Sequence, residues 1–327
     1  LALRGSIRAS GSTEPEGEND MAPADITATE KAALMAEEPK RRSKLAIWLA
    51  RAWRFRMGVF GSVIFLLLVI MAVFAPWIAT HDPFEQDILF RLTPPVFLEG
   101  GAWDHWLGTD QLGRDLYSRI VYGARVSLVI GVGAVVVAGS IGVVMGLIAG
   151  YFGGWIDSVV DFSVNAMLAF PFILLAMTLV IVLGASMENI ILALGMSNWP
   201  IFARVARIET KKLRDQEFIV AAEALGYKTM RIIFRHILPN LTAPILVIAT
   251  VEIARSIIRE TFLSFLGLGV QPPTPSWGVM LAEGRDYVLT IWWLSTLPGL
   301  AIFLAALGIN LTGDALRDIF DPRLKRR

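Results

Sequence analysis

The stretch DQEFIVAAEALGYKTMRIIFRHILPN, Asp215 to Asn240, is a charged helix-break-helix pattern set between apolar runs long enough to cross a bilayer. Asp215 can cap a first short helix, Glu217 suits its positive end, and Gly226 can end it in the left-handed conformation that side chains resist. Thr229 is placed to cap a second helix, with Ile232, Ile233 and Ile237 as its apolar face and Pro239 as its stop. Ala221 and Ala222 present almost no side chain, so a partner's cleft can close on the backbone without ordering long groups. The pattern reads as a docking handle on a membrane protein.

Composition requires the membrane. The 327 residues are 55% hydrophobic and 18% charged, with a mean hydropathy of +0.58, which is more apolar surface than a soluble core can hide. Cysteine is absent, which excludes disulfides, thiol nucleophiles and thiolate metal sites. Glu14, Glu16, Glu18, Asp20, Asp25, Glu30, Glu37 and Glu38 outnumber Arg4, Arg8 and Lys31, so residues 1–43 read as a disordered tail. That tail lacks the apolar core of a secretory signal, and Met21 is an alternative start.

Apolar runs near 58–80, 126–150, 159–184, 189–208, 241–269 and 291–312 each supply the roughly 20 residues, at about 1.5 Å rise, that a spanning helix needs. The expected fold is therefore an all-α integral membrane protein with six transmembrane helices. An even count puts both termini on one side. Lys40, Arg41, Arg42 and Lys44 before the first run, and Arg317, Arg323, Lys325, Arg326 and Arg327 after the last, place that side in the cytoplasm. The basic loop 211–240 then lies inside and 81–117 outside. Gly142, Gly146 and Gly150 stack small residues on one face for close helix packing, while Pro171 and Pro298 are expected to kink their spans.

Three further segments carry a resemblance: LGTDQLGRDLYSRIVYGARVSL from Leu107, TFLSFLGLGVQPPTPSWGVML from Thr261, and GDALRDIFDPRLKRR from Gly313. With Ala221-Ala222, Gly226 and Leu238-Pro239, they resemble the C-type permease subunit of the dipeptide and oligopeptide (peptide/nickel) importers of the ATP-binding-cassette class. The resemblance spans nearly everything after Lys44. It implies a type I importer permease fold in the bacterial cytoplasmic membrane, a homologous second permease, and two separate ATPase subunits that use ATP and Mg2+. It also implies an extracytoplasmic substrate-binding protein and a di- or oligopeptide cargo, with nickel or glutathione as alternatives. No cofactor, enzymatic activity or nucleic-acid partner is expected of this chain, and it has no Gly-x-x-x-x-Gly-Lys-Ser/Thr loop to hold nucleotide phosphates.

The resemblance assigns ATPase coupling to Glu217, Ala221, Ala222, Glu223, Gly226, Arg231, Arg235, Leu238 and Pro239. The family often has Glu where this chain has Val220. The organisation that follows is a tail at 1–43, a first transmembrane helix with extracytoplasmic cap and elbow at 44–121, the transporter domain with its coupling loop 211–240 at 122–313, and a basic cytoplasmic tail at 314–327.

Glu252, Arg255 and Arg259 share one face of the fifth run, bordered by Glu260, and each ion at that depth costs about 2.5–3.5 kcal/mol unless it faces protein or water. With Asn165 they either line a translocation path or form a self-neutralising network against the partner. An ion-coupled carrier could use the same stripe, but no internal repeat accompanies it. An intramembrane hydrolase lacks the necessary constellation. His81, His105 and His236 are dispersed, so no metal site is expected. The paired Asp157 and Asp161 are expected to cap or solvate. Residues 108–115, with Asp110 as a cap and Leu112, Leu116 and Ile120 at four-residue spacing, read as an amphipathic elbow. The elbow and the segment 272–277, PPTPSW, are alternative contacts for a substrate-delivering protein.

Overall fold

A computed structural model describes residues 56–320, so the acidic tail and the last basic residues lie outside the described residues. No β-strand occurs among the described residues; a lone bridge joins Thr109 to Asp115. Helix α1 (Arg56–Val73) leads into the short α2 (Ala75–Ile78) and an irregular segment that ends at α3 (Leu116–Phe152). Next come α4 (Gly154–Ala169), α5 (Phe172–Leu183), α6 (Met187–Arg214), α7 (Glu217–Ala224) and α8 (Thr229–Ile232). Helices α9 (Leu238–Phe265), α10 (Trp277–Gly284) and α11 (Trp293–Phe320) complete the described chain.

Among the described residues four helices are long and apolar enough to cross a membrane: Arg56–Val73, Leu116–Phe152, Thr229–Phe265 and Trp293–Phe320. The expected third span is not one straight helix, because α4 and α5 meet at 91° and count as a fifth span only if taken together. Pro171 is the cause. Its ring forces Phe170 out of the helical region to ψ 136, and it supplies no N–H to continue the ladder. The expected fourth span lies in α6, whose 28 residues include Glu188, Arg204, Arg207, Glu209, Lys211, Lys212 and Arg214. Those charges keep it below the apolarity of a spanning helix, so among the described residues length and composition support four or five spans and do not confirm the sixth.

Helices α3 and α6 form the closest pair. A Cβ at Gly142, Gly146 or Gly150 would fall under 3.0 Å from atoms of Trp199, Phe202, Ala203, Ala206, Arg207 or Thr210, so only glycine lets the two backbones approach. One apolar cluster joins α1, α3, α9, α10 and α11 through Leu68, Leu116, Ala254, Ile257, Trp277 and Ile309. A second joins α3, α5 and α6 through Ile130, Val180, Ile190 and Leu194.

The expected elbow is corrected. Residues 108–115 are a turn: the side chain of Asp110 accepts from Leu112 N at 2.8 Å and Arg114 N at 3.0 Å. Asp115, not Asp110, caps α3, accepting from Ser118 N at 2.8 Å. Leu116 and Ile120 are buried in the first turns of α3, while Leu112 stays outside. Asp110 is instead the centre of an ion cluster. Its carboxylate accepts from Arg114 Nε at 2.7 Å and from Arg119, and both arginines reach Glu283 on α10 at 3.1 and 2.8 Å.

Candidate coupling loop and buried charge cluster

Between α6 and α9 the chain builds a compact knob. Ile219 and Ala222 of α7, Ile232 of α8, and Ile233, Ile237 and Leu241 beyond it are buried against Leu147 and Tyr151 at the end of α3. The Tyr151 hydroxyl donates to Glu223 at 3.1 Å. Gly226 ends α7 at φ +76, with its N–H bonded to Glu223 O at 2.9 Å and Tyr227 N bonded to Ala222 O at 3.1 Å. That closes the helix end in the left-handed geometry glycine adopts without strain. Arg231 lies over the Tyr227 ring at 4.7 Å, and Tyr227 stacks on His236 at 6.3 Å.

Three local expectations are corrected. Asp215 terminates α6 rather than capping α7, whose N-cap is Gln216. Thr229 is the first residue of α8, after Lys228. Pro239 does not stop the second helix: α8 runs through a wider π-helical turn, Ile233–Ile237, into α9 as one helix, Thr229–Phe265. In that turn Leu238 N bonds five residues back to Ile233 O, which makes room for the proline ring that would otherwise strike the preceding turn.

The knob's outer surface holds Glu217, Ala221, Glu223, Gly226, Arg231, Arg235 and Pro239, while Leu238 is half-buried and Ala222 faces inward. Among them stand exposed Phe218, Val220, Leu225, Met230 and Phe234, an apolar surface that nothing among the described residues covers.

Farther along α9, Glu252 and Glu260 are fully buried. Glu252 accepts from Arg255 at 2.8 Å, from Arg259 at 2.9 Å, and from Asn198 of α6 at 2.9 Å. The stripe is thus one ion cluster, and Arg259 also lies 4.3 Å over the Phe172 ring. The Arg255 side chain, in contrast, is 56% exposed. Glu260 is held separately by Ser264 at 2.6 Å and Ser276 at 3.0 Å, which ties α9 to the start of α10. Asn165 does not join these charges. It bonds Asp161 and Arg204 at 3.1 Å each, beside the pairs Asp157 makes with Arg207 and Lys211. Asp157 and Asp161 therefore bind α4 to α6, neither capping nor left to solvent.

Residues 142–326 match the family described as binding-protein-dependent transport system inner membrane component, and residues 43–95 match the N-terminal TM domain of oligopeptide transport permease C. The chain belongs to the binding-protein-dependent transport permeases.

Curated relatives agree. The permease is 44% identical over 269 residues to the di/tripeptide transport system permease protein DppC of Pseudomonas aeruginosa, covering 82% of this chain and 89% of that one. It is 44% identical over 270 residues to the dipeptide transport system permease protein DppC of Alkalihalophilus pseudofirmus, covering 83% and 87%. It is 43% identical over 278 residues to the glutathione transport system permease protein GsiD of Escherichia coli, covering 83% and 89%. Among solved structures, the inward-facing MetNI methionine ABC transporter superposes with a TM-score of 0.51 at 18% identity, covering 62% of this chain and 97% of that one, which shows the type I importer permease fold. The permease is thus the membrane component of an importer and not its ATPase. The carrier and hydrolase alternatives fall with that membership.

Sequence reading of the permease missed two partners. Asn198, the third ligand of Glu252, sits 54 residues away on another helix. The Asp110, Arg114, Arg119 and Glu283 cluster had a partial signal in the i, i+4 spacing of its first pair, but Glu283 lies 169 residues from Arg114.

Proposed function

We propose that this permease pairs with a homologous permease to form the translocation path for di- or oligopeptides, driven by two cytoplasmic ATP-binding-cassette subunits that hydrolyse ATP with Mg2+. An extracytoplasmic binding protein delivers the cargo. The peptide assignment follows the two DppC relatives; glutathione, itself a peptide, is the second reading and follows the GsiD relative. In this reading the fold has six spans, with α6 lined by protein rather than lipid, both termini cytoplasmic, and loop 211–240 inside. The tail 1–43, the cap region 44–121, the transporter domain 122–313 and the tail 314–327 keep the roles their composition gives them.

The observation that carries the proposal is the uncovered face of the knob, rooted in a helix that continues without interruption to the charge cluster. An ATPase cleft gripping α7 at Ala221 and Gly226 moves that helix, and the cavity between permeases changes its opening. Glu217, Glu223, Arg231 and Arg235 supply the charges around the contact, and Val220 replaces a carboxylate with apolar contact. Of the stripe Glu252, Arg255, Arg259 and Glu260, Arg255 faces outward from this chain to meet the path, and the buried Glu252 and the largely buried Arg259 hold it in place.

Ala221→Arg and Gly226→Val test the grip. Ala221 is exposed, and nothing lies within 4 Å of a Cβ at Gly226, so neither change is set against a neighbour among the described residues. Valine at φ +76 costs about 1–2 kcal/mol locally, which distorts the end of α7. Expected are normal membrane levels of the permease, loss of the ATPases on co-purification, and at least about a tenfold fall in dipeptide uptake, equivalent to about 1.4 kcal/mol of coupling. Uptake and attachment at wild-type levels in both variants would remove the proposal's basis.

A further inference from the structure

We infer that His81, His105 and Asp115 form a binding site for a divalent transition-metal ion of the zinc class, at the end of α3 opposite the coupling knob. The expectation of dispersed histidines is corrected for two of the three: the irregular chain between α2 and α3 brings the imidazoles of His81 and His105 to 4.7 Å, tilted by 35°, and the ligand atoms of His81, His105 and Asp115 lie within 4.8 Å of one another. Zinc bonds of about 2.0–2.1 Å at tetrahedral angles put neighbouring ligand atoms about 3.3 Å apart. Here Asp115 Oδ1 is 3.0 Å from His105 Nδ1 and 3.9 Å from His81 Nδ1, so small side-chain rotations close the set.

The oxygens of Asp115 divide the work. Oδ2 caps α3 through Ser118 N at 2.8 Å and takes Thr80 Oγ1 at 3.4 Å, while Oδ1 faces the imidazoles. His81 is held by its backbone N–H on Ser118 Oγ at 3.0 Å, and its Nδ1 also meets Thr80 Oγ1 at 3.1 Å, a contact the ion displaces. His105 is 9% exposed and Asp115 is 2% exposed, so these two ligands are preset by packing, while His81 is half-buried at the cavity edge.

The second observation is the cavity itself. These residues open onto a space of about 200 Å3 that Asp82, Glu85, Asp87 and Asp104 also line, with no lysine or arginine among the described residues of its wall. The exposed Asp82, Glu85 and Asp104 give that wall a negative potential that attracts a dication, and a cavity carboxylate or water is at hand for the fourth coordination position. Imidazole with carboxylate favours zinc, nickel, cobalt or copper over calcium or magnesium. Bound there, the ion clamps the segment after α2, the mid-loop and the start of α3 together.

The test uses the intact importer complex, stripped by chelator and titrated with Zn2+, with Mg2+ and Ca2+ as comparators. About one Zn2+ per permease chain is expected at this site, with His81→Gln and His105→Gln each weakening it at least ~10-fold, the lower limit for loss of even an outer-shell partner. Tight Zn2+ binding unchanged in both variants, no tight Zn2+, or equal binding of Mg2+ would overturn the inference. If a variant fails to assemble, zinc-edge absorption of the wild-type complex decides: imidazole scattering supports the site and its absence rejects it.

Discussion

Replacing Glu252 by alanine is expected to destabilise the folded permease by about 3–5 kcal/mol, the cost of removing one partner from a buried ion cluster. Its carboxylate has no exposure and holds three donors, so its loss strands Asn198 of α6 and Arg259, whose side chain is only 20% exposed. Glu252→Gln keeps the shape and an acceptor oxygen but not the charge, and should fall between alanine and wild type. Thermal unfolding of the purified importer, read with the abundance of the permease in membranes, measures both.

Arg255 separates packing from transport. With one partner and more than half its side chain exposed, Arg255→Gln should cost less than about 1 kcal/mol and leave assembly intact, yet alter the preference among peptides with different terminal charges. If Arg255→Gln assembles and transports with unchanged selectivity, the stripe is a structural lock and the path lies elsewhere.

The second large effect is expected at Asp110. The Arg114 and Arg119 side chains are 4% and 1% exposed and share Asp110 with Glu283, so Asp110→Ala leaves two buried guanidiniums facing one carboxylate. It also removes acceptors for two backbone N–H groups in the turn. A loss of about 3–5 kcal/mol follows, against a smaller loss for Glu283→Ala, whose side chain is 20% exposed. Adding Arg119→Leu to Asp110→Ala should recover part of the loss, because the two sites are coupled. A strictly additive double variant would show that the cluster is not an energetic unit.

What the sequence made legible follows from which interactions are local. The apolar runs that became α1, α3, α9 and α11 are readable because lipid selects composition directly. Gly226 is readable because a left-handed residue needs glycine. The caps at Asp215 and Thr229 were misplaced because α6 continues to Arg214 and α8 begins at Thr229 itself; a capping side chain has no way to announce where the backbone stops. Pro239 looked like a terminator because the π turn that accommodates it has no sequence signature. In the candidate site, the spacing of Glu252, Arg255 and Arg259 gave their common face, whereas Asn198 and the meeting of His81 with His105 depend on long-range closure of the chain.

Because the second half of the knob, from Thr229, and the ion cluster sit on one unbroken helix, Thr229–Phe265, they behave like two cams on a single axle. Each residue advances that axle by about 100° and about 1.5 Å, so a one-residue deletion between Ile245 and Val251 would swing Glu252 out of phase with Asn198 while leaving both ends chemically intact. Seven residues complete nearly two full turns, missing by only about 20°. Length in this stretch is therefore constrained by angle rather than by distance.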